Sequence, residues 1–174
     1  MNKNLIFPLL LTLSASHTVL AEDKDEMIAS ALSAGPKSVT ADATIKSPDG
    51  KVLRKGTNSY TCYPQQEAMG PMCNDATWDA LIAALMSKQD FKPTSLSISY
   101  MLAGEGDAPG VSNSDPYATD PSKVDDWIKE GPHLMIIVPD KSMLEGLSTD
   151  PKDPVYVMWK DTPYAHIMVR IAEE

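Results

Sequence analysis

The stretch V-Y-V-M-W-K-D-T-P-Y-A-H-I-M-V-R-I, Val155 to Ile171, decides the fold. Val155 to Lys160 and His166 to Ile171 each alternate β-branched or aromatic residues with a second set, the period-2 signature of strands. Asp161 to Ala165, with Pro163 inside it, reads as a five-residue hairpin connection. Sidedness restricts the register of such a pair. With Val155, Val157 and Trp159 on the core face, Ile167, Val169 and Ile171 must share that face. One register that does this sets Lys160 opposite His166, Met158 opposite Met168 and Tyr156 opposite Arg170. The second face then carries His166, both methionines, Tyr156, Lys160 and Arg170.

Working outward, His133-Leu134-Met135 repeats the pattern of His166-Ile167-Met168. Leu134, Ile136 and Val138 fall on one face of a strand, and His133, Met135 and Ile137 on the other. If this strand neighbours the hairpin, imidazoles and thioethers gather, because cross-strand neighbours lie about 5 Å apart at Cβ. Three chemistries fit such a face. Imidazole and thioether are soft ligands suited to Cu(I), which makes His133, Met135, Met158, His166 and Met168 a candidate copper site. His133 or His166 as general acid or base, with Lys160, Arg170 and Tyr164 holding an anionic or carbonyl substrate, would make a small periplasmic enzyme. No G-x-S-x-G, H-E-x-x-H or glycine-rich phosphate loop accompanies them. The third reading is a module for a small molecule or an exported protein partner, with His133, His166, Lys160 and Tyr164 contacting the ligand. Asn113 and Asp115 would join them from a long loop. Beside all three stands plain packing: histidines opening strands bond backbone groups, and methionine fills cores.

Upstream, Glu22 to Ala34 reads as an amphipathic helix stopped by Gly35-Pro36. Val39 to Ile45 and Val52 to Arg54 read as strands around the turn Ser47-Pro48-Asp49-Gly50, with Ser59 to Cys62 ending that unit. Asn74 or Asp75 caps a helix to about Lys88, with Trp78, Leu81, Ile82 and Leu85 as its apolar stripe. Leu96 to Leu102 is a strand. Ala103 to Ser122 is a Gly/Pro/Asp-rich loop without periodicity, and loops of this length are usually functional or mobile. Asn113, Asp115, Asp120, Asp125 and Asp126 could bind Ca²⁺, but they match only a fragment of the EF-hand pattern, and Asp-Pro pairs more often start turns. Lys123 to Glu130 reads as a short helix, His133 to Pro139 as a strand and Lys141 to Leu147 as a short helix.

The N-terminus has the layout of a secretory signal. Lys3 supplies the positive charge, an apolar run spans Leu5 to Leu13, and Val19-Leu20-Ala21 is the cleavage pattern. Residues 1–21 are therefore expected to be a signal peptide and 22–174 a single domain, periplasmic or secreted after cleavage near Ala21. The apolar run falls short of the roughly 20 residues that span a bilayer, so no stable membrane anchor is expected. Cys62 and Cys73 most simply form a disulfide in that compartment. The formal net charge of −9 repels nucleic acid and draws cations.

Several of these segments resemble a family of small exported bacterial proteins of unknown function. They are G-P-H-L-M-I-I-V-P-D (Gly131 to Asp140) and Y-V-M-W-K-D-T-P-Y-A-H-I-M (Tyr156 to Met168). Gly56-Thr57-Asn58 with Cys62, Pro71-Met72-Cys73, Tyr100-Met101-Leu102 and Ser112 to Pro116 add to them. This chain departs from the pattern with Asp161 in place of glycine and Tyr60 in place of tryptophan. The resemblance implies export and a common fold, and no activity. The expectation is a single α+β domain with a mostly antiparallel sheet of five or six strands and two main helices on one face. Its expected function is that of an exported soluble small-ligand or interaction module.

Overall fold

The computed structural model describes residues 16–172, with side chains from Asp23 onward. The apolar run of the expected signal peptide lies outside the described residues. The chain opens with α1 (Ser16–Leu32) and the single turn α2 (Lys37–Thr40). Four short strands follow: β1 (Thr44–Lys46), β2 (Val52–Arg54), β3 (Thr61–Tyr63) and β4 (Met72–Asn74). Then come α3 (Ala76–Met86), β5 (Ser97–Met101), β6 (Val111–Ser112), β7 (Trp127–Ile128), β8 (His133–Ile137), β9 (Val155–Met158) and β10 (His166–Arg170). Eight strands form one sheet in the order β2-β1-β3-β4-β5-β8-β10-β9, and β6 and β7 form a separate ribbon. Every pairing is antiparallel except β1 with β3. The domain is α+β, as expected, with more strands than the period-2 signal reveals. β4, β6 and β7 are too short to show a period, and Val39 and Thr40 belong to α2 rather than to a strand. Of the expected helix 123–130, only a 3₁₀ turn at Pro121–Lys123 forms; Trp127 and Ile128 pair with Ser112 and Val111 instead.

The two main helices take opposite faces of the sheet, not one. Ala31 in the last turn of α1 and Ala34 just after it pack with Ile45, Cys62 and Cys73. Trp78 and Leu81 of α3 pack with Met72, Met101 and Met168. Met72 and Cys73 are consecutive in β4 and must point to opposite faces. Cys62 and Cys73 face each other across β3 and β4 and form a disulfide. In the chain-entropy model closing this short loop stabilises the fold by about 3 kcal/mol. Helix α3 is fixed at its start by Asp75, whose carboxylate accepts from the Thr77 and Trp78 amides at 2.9 and 3.1 Å. The same carboxylate accepts from the Ser97 hydroxyl and the Ile98 amide, tying the helix to β5.

Packing inverts the expected sidedness. The α3 face of β5, β8, β9 and β10 carries Met101, His133, Met135, Tyr156, Met158, His166 and Met168, all buried. The opposite face, with Ile98, Leu134, Ile136, Ile167 and Val169, is only half-buried. α1 covers the β1–β4 end of that face, and the 3₁₀ turn Lys141–Leu144 covers Val157 and Ala165 at the other end. The face expected to meet a ligand is the main core. The hairpin register also differs. His166 pairs with Met158 and Met168 with Tyr156, because β9 ends at Met158 and Trp159 takes a left-handed φ of 53°. That turns Trp159 into the α3-side core and leaves Lys160 in the connection, exposed.

Candidate functional site

A partly enclosed cavity of about 60 Å³ lies between α3 and the sheet. A buried water needs roughly 10–15 Å³ on this measure, so the space admits several waters or a small ion with its ligands. Its wall includes His133, His166, Met101, Met135, Met158 and Met168, with Trp78, Trp159 and Glu105.

The strands place these side chains in two equivalent corners. At one, His133 has Met135 two residues on along β8, and Met101 of β5 directly opposite. At the other, His166 has Met168 two residues on along β10, and Met158 of β9 directly opposite. Met135 and Met168 face each other across β8 and β10 and join the corners. The two histidines are offset by four positions along adjacent strands, about 13 Å at the strand rise.

Each imidazole is held in the same tautomer. His133 Nδ1 lies 2.7 Å from the Gly131 carbonyl oxygen, and His166 Nδ1 lies 2.9 Å from that of Tyr164. A carbonyl only accepts, so Nδ1 carries the proton and Nε2 carries a bare lone pair. Both Nε2 atoms are buried without a hydrogen-bond partner. Burial pushes both histidines below their ordinary pKa, His166 to about 4, so both are neutral near pH 7. A backbone carbonyl on one ring nitrogen and a free lone pair on the other is how metal-binding histidines are oriented.

The surroundings differ between corners. Trp78 and Trp159 meet the His166 ring edge-on, with centroids 5.0 and 5.2 Å away. His133 sits beside an ion pair: Arg170 Nε and Nη2 donate to the buried Glu130 carboxylate at 3.0 and 2.7 Å. Tyr156 Oη donates to the same carboxylate at 2.9 Å. The positive charge that would oppose a cation on this face is thus matched by Glu130, while Lys160 lies in solvent. Glu105 adds a buried carboxyl to the cavity wall. Desolvation pushes its pKa up, and the Gly70 amide donates to it at 3.4 Å. Gly70 is there for contact: a Cβ would stand 2.2 Å from the Gly104 carbonyl oxygen.

Of the residues expected to form a site, His133, His166, Met135, Met158 and Met168 converge here. Lys160, Tyr164, Asn113 and Asp115 do not. Tyr164 Oη donates to the Gln89 carbonyl at 2.8 Å and bonds Tyr117 Oη at 2.8 Å, at a separate surface groove that Asp115 also lines. Asn113 holds the hairpin: its carbonyl accepts from Trp159 N and its Nδ2 donates to the Thr149 carbonyl. The loop aspartates mostly hold turns and hydroxyls. Asp115 accepts from Tyr117 N, Asp120 from Ser122 N, and Asp126 from the Ser112 hydroxyl. Among the described residues no three of His, Cys, Asp and Glu gather as a metal site, so the Ca²⁺ expectation gains no support. Met101 and Trp159 escape sequence reasoning; Met101 was visible as the end of an alternating strand, but its position opposite His133 depends on a β5–β8 register that no local signal gives. No protein-family model matches the chain, and no curated protein or solved structure matches it either.

Proposed function

We propose that this chain is an exported binding module, periplasmic or secreted, that holds Cu(I) in the cavity between α3 and the sheet. One observation carries the reading: two buried, neutral imidazoles, each with an unpartnered Nε2 lone pair, line a cavity walled by methionine side chains. Each corner offers one nitrogen and two sulfurs, His133 with Met135 and Met101, and His166 with Met168 and Met158. A soft nitrogen–sulfur set of this kind selects Cu(I) over harder divalent ions. The carboxyl of Glu105 adds an oxygen donor to the cavity wall, and the signal-like N-terminus and the disulfide suit an oxidising compartment. The acid–base alternative would place a nucleophile or carboxylate against one Nε2, and both lack a partner.

The test is competition titration of the mature protein with Cu(I) against a colourimetric Cu(I) chelator, in parallel with Zn²⁺ and Ca²⁺. The expected result is two Cu(I) per chain, with Zn²⁺ and Ca²⁺ bound far more weakly. The variant with both His133→Ala and His166→Ala should take up none. A protein that leaves all Cu(I) with the chelator would return the two histidines to the role of water-bonded core residues.

A further inference from the structure

The cavity is only partly enclosed, and two of the four residues it shares with a surface groove are methionines. A groove of about 740 Å³ runs along the outside of α3. Ala68, Met69, Met72 and Ile82 line both this groove and the cavity and form the partition between them. At the groove's rim stands Met86, 79% exposed at the last position of α3. Met72 is held at the partition by Asn74, whose Nδ2 donates to the thioether at 3.4 Å and to Asp79 at 3.1 Å. Asp79 lines the same groove and brings a carboxyl to it. Met69 sits on the segment between Cys62 and Cys73, so the disulfide closes the base of the partition loop. The tip of that loop is fastened by hydrogen bonds, from Gln66 N and Gln65 Nε2 to the Met69 carbonyl and from Gly70 N to Glu105, and by the packing of Met69 on the core.

We infer that this groove is the loading port of the cavity: Met86 at the rim and Met69 and Met72 in the partition hand Cu(I) by thioether exchange to the histidine corners within. The inference rests on the Cu(I) reading above. Thioethers suit the task because Cu(I) stays bound to soft sulfur at every stage and no ligand has to lose a proton. The step is ligand exchange alone, one sulfur–copper bond forming as another breaks, with no change of oxidation state. A port differs from a site: its residues set the rate of loading and leave the final affinity alone.

Stopped-flow transfer of Cu(I) from its bicinchoninate complex into the full mature chain separates the two. The double variant Met69→Leu, Met86→Leu keeps side-chain volume and removes both sulfurs. It should load about tenfold more slowly, with equilibrium affinity unchanged. Met86→Leu alone, at an exposed position, should slow loading without any folding penalty. Met143→Leu, at a methionine 56% exposed outside the groove, should load at the wild-type rate. Wild-type loading rates in the first two variants would overturn the port while leaving Cu(I) binding intact. A loss of affinity matching the loss of rate would overturn it too, by making Met69 and Met86 final ligands. Failure of the unaltered protein to take up Cu(I) would overturn both the port and the reading it rests on.

Discussion

The two corners of the cavity are built from the same parts and differ in what surrounds them. Each has a histidine clamped at Nδ1 by the carbonyl two residues back, a methionine two residues on and another across the strand pair. The His166 corner is walled by the indoles of Trp78 and Trp159. The His133 corner stands beside the Glu130–Arg170 pair, with Glu105 close enough to Glu130 for their charges to interact. The comparison separates what the tripeptide contributes from what the fold contributes. The strand pattern delivers an imidazole and two thioethers on one face; the neighbouring charges decide how readily that set accepts a cation. If the cavity holds Cu(I) as proposed, the His133 corner, nearer the carboxylates, should take the first ion and the His166 corner the second.

The largest expected effect sets His166 apart through protons. In the unfolded chain it titrates near 6.5; in the fold, burial holds it to about 4. Above pH 6.5 the shift has no bearing on stability. As pH falls from 6.5 towards 4 the unfolded chain takes up a proton that the fold refuses, so stability is lost, by about 3 kcal/mol in all at 1.36 kcal/mol per unit. Asp79 and Glu105, whose pKa values burial raises, act in the opposite direction as pH falls, so the total curve mixes these contributions. Chemical denaturation of the apo protein and His166→Gln from pH 7.5 to 4 isolates the one histidine. The gap between the two curves should change by about 3 kcal/mol across that range, and a constant gap would show that His166 is solvated in the native state.

Removing ligands ranks the corners. Deleting the outer partner of a metal-bound histidine costs about 10–100-fold in affinity, so deleting the imidazole itself should cost at least about a hundredfold at its own corner. His133→Ala should therefore abolish the tighter of two Cu(I) binding steps, and His166→Ala the weaker. Competition titration of both variants reads this directly. Loss of the tighter step in His166→Ala would reverse the ranking and credit the tryptophan walls over the carboxylates.

How far this was legible in sequence follows from the same strands. The repeated His-x-Met, the hairpin and the pairing of Cys62 with Cys73 all have local signatures, and all are found. The alternation in Val155 to Ile171 was also real. Which of its two faces is the core was not readable, because both are apolar once histidine is neutral: Ile167 and Val169 on one, Met158 and Met168 on the other. The decision lies with α3, whose Trp78 and Leu81 cover the methionine face, and with α1, which stops at the β1–β4 end of the other. Helix placement is long-range and leaves no period in a strand. The two-residue shift in hairpin register has a local cause without a local signal, since a tryptophan at φ 53° is a conformation that residue type rarely takes.

The smallest expected effect distinguishes a methionine that packs from one that ligates. Met101 and Met158 occupy matching places, each opposite a histidine, and each is nearly fully buried. Leucine replaces methionine in a core at a cost usually below about 1.5 kcal/mol, because volume is conserved while sulfur is lost. If the thioethers only fill space, Met101→Leu and Met158→Leu should leave Cu(I) affinity where it was and shift thermal stability slightly. If they complete the two corners, each should weaken one Cu(I) step by about tenfold, 1.4 kcal/mol, Met101→Leu the tighter and Met158→Leu the weaker, with the apo melting temperature moving by only a few degrees. Packing predicts a change in stability and none in affinity; ligation predicts the reverse weighting, and it predicts it separately at each corner. Agreement at one corner alone would mean that only that histidine binds metal and that its twin is a core residue oriented by its carbonyl.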